Sequence, residues 1–325
     1  MNPAEPVSLG RTGLEVTRLG FGTAPLGGLF QPLADDEAHR VVEAAWSAGI
    51  RFFDTAPQYG NGLAEQRLGA VLSAKPRHQF VLATKVGRLL RAGAPPQSDT
   101  FPGAPPLNPV FDFSYDGVMR SVEESVTRLG IDRIDILHIH DPDEHFAEAL
   151  SGAYPALDRL RAEGTIKAVG AGMNQAEMLA SFAREANFDC FLLAGRYTLL
   201  DQVALKELLP LCVERGIAII AGGVFNSGIL ADPRPGTHYN YAAAPDELVQ
   251  RAAEIKAVCE RHGISQKAVA IQFPLGHPAV QTVLTGCRSV DEVNENVEAF
   301  QAPIPAAVWQ DLKAEGLLAA GVPVP

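Results

Sequence analysis

The sequence predicts an α/β chain of the (β/α)8 class, a TIM barrel. Three observations point there. Short apolar runs alternate with amphipathic segments along nearly the whole chain. Glycines follow the amphipathic segments, just before the next run. Three of the runs place polar side chains at or just past their C-terminal ends, the rim where a parallel barrel builds its active site. A doubly wound sheet is the alternative use of the same alternation.

In chain order, residues 7–16 set Arg11-Thr12-Gly13 between two apolar positions and predict a hairpin ahead of the first barrel strand. Predicted barrel strands are 17–22, 50–54, 80–85, 134–140, 166–170, 190–193, 217–221 and 280–284. Residues 36–48 carry Val41, Val42, Ala45 and Trp46 at helical spacing, and 115–129 repeat Val118, Val122 and Val126 four apart. Residues 208–215 and 253–262 behave similarly, and Gly49, Gly130, Gly164, Gly216 and Gly263 mark helix stops. Two stretches break the alternation. Residues 87–114 hold six prolines and three glycines without a helical pattern, and 226–246 form a second loop after the seventh strand. Loops this long in a compact domain are usually functional, and the first springs from the catalytic rim. Residues 1–325 read as a single domain with an N-terminal hairpin and long rim loops.

With 325 residues and 47% apolar composition, the chain can bury a full core. A net charge of -11 and the lack of any Lys/Arg run argue against nucleic acid or an anionic membrane as partner. No stretch approaches the ~18–20 apolar residues of a membrane span. Residues 1–6 show no basic segment followed by an apolar one, so no signal peptide is expected. Cys190, Cys212, Cys259 and Cys287 lack CxxC spacing and read as free thiols of a reducing cytoplasm. The expected partner is a small molecule.

Asp54, Tyr59, Lys85 and His140 carry the chemistry. Side chains alternate along a strand, so Ile50, Phe52 and Asp54 share one face, as do Val81, Ala83 and Lys85. If both faces point inward, Asp54 and Lys85 meet at the barrel mouth, since neighbouring strands lie about 4.8 Å apart. Tyr59 follows on the loop past Pro57 and can fold back over the pair. Bringing a tyrosine from about 10 to about 7–8 takes roughly 3–4 kcal/mol. A cation at about 4 Å in an effective dielectric of about 20 supplies approximately that. Asp54 would keep Lys85 charged and aimed, and His140 could bond the same substrate oxygen. Gly20-Phe21-Gly22-Thr23 lacks the third glycine and the following helix of a dinucleotide fingerprint; Gly22 and Thr23 are expected to meet substrate or nicotinamide at the end of strand one. Two other classes stay open. His138 and His140, with Asp141, Asp143 and His145 close by, could serve a metal-dependent barrel hydrolase, although Lys85 would oppose the ion and no other strand end offers a third ligand. A non-catalytic cofactor-binding regulator is the other. No metal is expected.

Phe53-Asp54-Thr55-Ala56-Pro57-Gln58-Tyr59-Gly60, Thr84-Lys85 and Asp135-Ile136-Leu137-His138-Ile139-His140-Asp141-Pro142-Asp143 resemble the signature blocks of the aldo-keto reductases. The resemblance runs from about residue 7 to 300. It implies an NAD(P)-dependent oxidoreductase whose catalytic tetrad falls on Asp54, Tyr59, Lys85 and His140. It implies cofactor contacts from Gly22, Thr23, Asp54, Asn174 and Gly222 at the nicotinamide end. Gly286, Arg288, Ser289, Glu292, Glu295 and Asn296 would serve the adenosine end, where a loop enters a helix N-terminus. Glu292 stands where NADP-preferring relatives often carry arginine, which tilts the expectation toward NAD over NADP. This chain departs from the commoner pattern in three places. Asn174 is displaced by one residue, Ala194 stands for a glutamine, and Gly222 for a stacking tyrosine. With Ala221 to Phe225, these departures resemble the branch of D-threo-aldose, L-fucose and L-galactose dehydrogenases and pyridoxal 4-dehydrogenase. The implied reaction is oxidation of C1 of a cyclic aldose to a lactone. NADPH-dependent aldehyde or ketone reduction and pyridoxal 4-dehydrogenation are the alternatives. Phe101, Phe111, Phe113, Phe225, Asn226, His238, Tyr239 and Tyr241 are the expected pocket wall.

Overall fold

A computed structural model describes residues 1–95, 100–240 and 242–325. Eight parallel strands close into a barrel: β1 (Leu19–Gly22), β2 (Phe52–Asp54), β3 (Val81–Val86), β4 (Ile136–His140), β5 (Ala168–Met173), β6 (Cys190–Ala194), β7 (Ala218–Gly222) and β8 (Val280–Thr285). Each strand pairs with its sequence neighbour, and β8 returns to β1. The barrel of the sequence analysis is therefore the fold. Around it lie α1 (Asp35–Ser47), α2 (Leu63–Leu72), α3 (Tyr115–Leu129), α4 (Tyr154–Ala162), α5 (Ala176–Glu185), α6 (Leu208–Arg215), α7 (Asp246–Arg261), α8 (Gln266–Gln272), α9 (Val290–Gln301) and α10 (Ala306–Ala314).

The strands alternate as a barrel requires. Phe52, Val81, Ala83, Ile136, Ala168, Cys190, Leu192, Ala218, Ile220 and Leu284 fill the interior. The other faces join the helices in a larger outer core. Two strands at the N-terminus, Pro6–Ser8 and Glu15–Thr17, pair antiparallel, and Leu9 and Val16 join the interior cluster. The four cysteines are buried free thiols. Among the described residues, no helix is long and apolar enough to cross a membrane.

The structure corrects several local expectations. Residues 87–114 are not irregular throughout. Arg88–Ala92 and Leu107–Phe111 form an antiparallel hairpin, with Leu90 opposite Pro109. Leu89 and Leu90 are buried, and the prolines gathered between the two strands hid that short apolar signal. The loop 226–246 likewise holds a two-residue pairing of His238–Tyr239 with Ala242–Ala243. The fifth strand runs on through Ala171-Gly172-Met173 instead of stopping at Gly170. There glycine serves packing: a Cβ on Gly170 would lie 2.2 Å from Nδ1 of His138. The helix expected over 253–262 begins at Asp246, whose carboxylate and that of Glu247 favour the helix N-terminus.

One buried network clamps β3 from behind. Glu65 of α2 is fully buried; it accepts from the Thr84 hydroxyl at 2.8 Å and from Arg128 Nε of α3 at 2.6 Å. Thr84 thus faces outward, and its neighbour Lys85 must face inward. Replacing Arg128 with Met would strand the Glu65 carboxylate without its counter-ion. The expected loss is about 3–5 kcal/mol of stability in urea unfolding, largely recovered when Glu65→Gln is added. A single variant within ~1 kcal/mol of the parent would contradict the clamp.

Candidate active site

The barrel register pairs Asp54 with Ala83, and Lys85 follows on the same inward face. Lys85 Nζ donates to Asp54 Oδ1 at 2.5 Å and to the Thr55 carbonyl at 2.9 Å, with both side chains 1% exposed. Burial opposes the lysine's charge, but Asp54 and then Tyr59 outweigh it and hold Lys85 above its ordinary value. Burial pushes the Asp54 carboxyl up, and Lys85 pulls it back. Tyr59 sits above the pair, with Nζ 4.8 Å from its ring centroid. The loop carrying Tyr59 packs against the turn at Ala24–Gly27. Gly60 has φ +61 there, and a Cβ on it would lie 2.3 Å from the Gly27 carbonyl oxygen. Only glycine fits such a position.

His140 closes the group, edge-on to Tyr59 with ring centroids 5.8 Å apart. Burial lowers His140 well below the ordinary histidine value, and Arg88, Lys85 and His138 lower it further. It is therefore neutral near pH 7. His138, opposite Lys85 in the register, is pushed down to about 3 by burial and then by Lys85. Among the described residues no cluster of three or more His, Cys, Asp or Glu could hold a metal ion.

Two cavities meet at this point. The first, of about 380 Å³, is lined by Tyr59, Lys85, His140 and a polar wall of Gln58, Arg88, Asp141, Asp143, Asn174 and Gln175. Sequence reasoning missed Arg88 as a site residue and considered Asp141 and Asp143 only as metal ligands. Arg88 donates to Asp141 Oδ2 at 2.8 Å and hydrogen-bonds Gln58. The signal lay in plain sight: Arg88 is three residues past Lys85, and Asp141 follows His140. Of the expected aromatic wall, Phe101 reaches this cavity and packs 6.2 Å from Tyr59. Phe111 and Phe113 instead stack on one another and on His145.

The second cavity, of about 950 Å³, shares Tyr59, Asn174, Leu192 and Ala194 with the first and runs to the N-terminus of α9. Gly22, Thr23, Asp54, Asn174 and Gly222 line its inner end, and Gly286, Arg288, Glu292, Glu295 and Asn296 its outer end. Phe225, Asn226 and His238 line it as well. Tyr239 does not, since its hydroxyl bonds Asp201 at 3.3 Å, and Tyr241 lies outside the described residues. Ser289 is also off the wall: its hydroxyl caps α9, accepting the Glu292 N–H at 3.1 Å. Lys267, which sequence reasoning overlooked, lines the outer end and pairs with Glu295 at 2.8 Å. An extended dinucleotide fits these residues. Asn296 is buried, its Nδ2 donates to Cys287 Sγ, and its Oδ1 has no partner among the described residues. That is an acceptor suited to an adenine amine.

The sequence profile of the aldo/keto reductase family matches residues 18–315. Pyridoxal 4-dehydrogenase of Microbacterium luteolum is 46% identical, covering 98% of this chain and 99% of its own. D-threo-aldose 1-dehydrogenase of a Pseudomonas species is 45% identical, with the same coverage. The solved holo form of an aldo-keto reductase from Bacillus halodurans superposes with a TM-score of 0.76 at 26% identity, covering 98% of this chain and 97% of that one.

The buried neutral histidines set a pH dependence of stability. Unfolded, His138 would take a proton below its ordinary 6.5; folded, it stays neutral down to about 3. Across that window the unfolded state binds more protons, so stability falls as pH falls, by about 1.4 kcal/mol per unit for this residue. His138→Asn should remove about 1 kcal/mol of the stability difference between pH ~6 and ~5 in urea unfolding. An unchanged difference would show that His138 protonates in the native state.

Proposed function

The chain belongs to the aldo/keto reductase family, oxidoreductases that work with a nicotinamide cofactor, and we propose that it oxidises C1 of a cyclic aldose to a lactone. The observation that carries this reading is the polar cavity beside Tyr59 and His140, walled by side chains that can both donate to and accept from hydroxyls. The similarity to D-threo-aldose 1-dehydrogenase supports it. Pyridoxal is the second reading. It is favoured by the similarity to pyridoxal 4-dehydrogenase and by Phe101, which offers an aromatic wall beside Tyr59. Both substrates present a hemiacetal carbon that becomes a lactone carbonyl.

When bound, the nicotinamide supplies the hydride acceptor. The chain's own residues handle the proton. Tyr59 takes it from the anomeric hydroxyl as C1 becomes carbonyl. Lys85, kept charged by Asp54, stabilises the negative charge that Tyr59 carries in that exchange. Neutral His140 bonds the same substrate oxygen and orients it. Asn174, Gly22, Thr23 and Gly222 would hold the nicotinamide end, and Arg288 and Asn296 the adenosine end. Glu292 accepts from the Arg288 backbone at 2.8 Å and from its guanidinium at 3.3 Å. Arg288 is thereby partly neutralised, and the Glu292 carboxylate would oppose a 2′-phosphate near it, which supports NAD over NADP.

Tyr59→Phe should retain cofactor binding but lose about 10²–10⁴-fold in turnover, the worth of a positioned proton acceptor. Near-parental activity in that variant would refute the mechanism. The reaction itself is checked by product analysis with L-fucose, D-arabinose, L-galactose and pyridoxal. Failure on all four, with efficient NADPH-dependent reduction of simple aldehydes, would make this a carbonyl reductase instead. For the cofactor, fluorescence titration should give NADH binding at least as tight as NADPH, with Glu292→Gln narrowing the gap at low salt. A strong NADPH preference in the parent would overturn the role given to Glu292.

A further inference from the structure

Arg88 and Asp141 form a second ion pair at the barrel mouth, separate from Lys85 and Asp54. Gly87, with φ +100, follows β3, and Arg88 next to it lines the cavity wall, its side chain 9% exposed. Its guanidinium holds Asp141 Oδ2 at 2.8 Å, bonds Gln58 and lies over the Phe111 ring at 4.9 Å. Its Nε–H has no partner among the described residues. Asp141 has φ +39, the left-handed region that a non-glycine residue seldom occupies. That conformation returns its carboxylate to within 3.4 Å of His140 Nε2, on the wall of the same cavity. Such a strained residue at a cavity wall is a pointer to function.

We propose that Arg88 and Asp141 together recognise the hydroxyl next to the reacting carbon, so that the substrate is an uncharged, polyhydroxylated ring. This deepens the reading of an aldose dehydrogenase and rests on it. A guanidinium only donates and a carboxylate only accepts, whereas a hydroxyl does both. One hydroxyl set against the edge of the pair can accept from the guanidinium and donate to the carboxylate while its neighbour lies at His140. An alkyl aldehyde would cover these polar groups without replacing their hydrogen bonds with water, a loss that disfavours it. A phosphorylated or carboxylated sugar is disfavoured for a different reason. Arg88 is already neutralised by Asp141, and Asp143 adds a further negative charge to the wall. Arg88 and Asp141 are positioning and specificity residues in this scheme; Tyr59 keeps the proton transfer.

The test compares the best-oxidised aldose of the panel with its 2-deoxy counterpart in the parent enzyme, in Arg88→Met and in the isosteric Asp141→Asn. A hydrogen bond to a charged group corresponds to about ten- to hundredfold in kcat/KM. The parent should therefore favour the hydroxylated sugar by at least about tenfold, mostly through KM, and should reject its phosphate ester. In either variant that preference should shrink to within about threefold, with NADH fluorescence titration unchanged. Three results overturn the inference alone: a parent indifferent to the 2-hydroxyl, a parent that accepts the phosphate ester equally well, or a preference that survives in both variants. If Arg88→Met fails to bind NADH, Asp141→Asn decides. If no aldose is oxidised by the parent, the dehydrogenase reading falls and this inference falls with it.

Discussion

The buried pair of Lys85 and Asp54 is the constraint around which the barrel mouth is built. Taking two ions out of water costs several kcal/mol each, and their attraction returns little more than that cost. Two apolar residues could fill the same space, so the pair is not explained by stability. It is explained by what lies above it: a lysine 4.8 Å from the Tyr59 ring, held charged in a place that would otherwise neutralise it. The surroundings are arranged to keep that geometry. Thr84 is tied outward to Glu65, the Thr55 carbonyl takes a second ammonium proton, and Gly60 lets the tyrosine loop lie flat on its neighbour. Burial, with Lys85 adding to it, also keeps His138 neutral.

Much of this was legible in the chain. Two-residue alternation in Phe52–Asp54 and Val81–Lys85 is a local property, and it alone brings Asp54 and Lys85 together once the strands are parallel neighbours. The helix over 115–129 was equally legible, because its apolar repeat and its closing Gly130 agree; Ser114 caps it, accepting the Gly117 N–H. What could not be read came from pairings between distant segments. The hairpin of Arg88–Ala92 with Leu107–Phe111 has its strand signal buried among prolines, and its existence depends on closing a long turn. Gly170 looked like a strand end because glycine usually marks one; it is there to make room for a histidine on the neighbouring strand. Ser289 was legible as a polar residue near a helix start, but whether its hydroxyl faces a ligand or caps its own helix depends on the turn it makes.

The charges at the rim divide the labour of the proposed reaction. Burial lowers His140 most, and Arg88 and Lys85 add to it, so the imidazole does not hold a second proton near pH 7. A neutral imidazole can donate one N–H and orient an oxygen, but it offers no acid form to compete for the transferred proton. Tyr59 is then the group at the junction of the two cavities whose exchangeable proton a cation supports. The polar first cavity and the longer second one meet at that residue, and Leu192 and Ala194 line both. The proposed acid–base group and the proposed substrate wall therefore depend on a single arrangement: two cations, each with its own carboxylate, beside a histidine that stays uncharged.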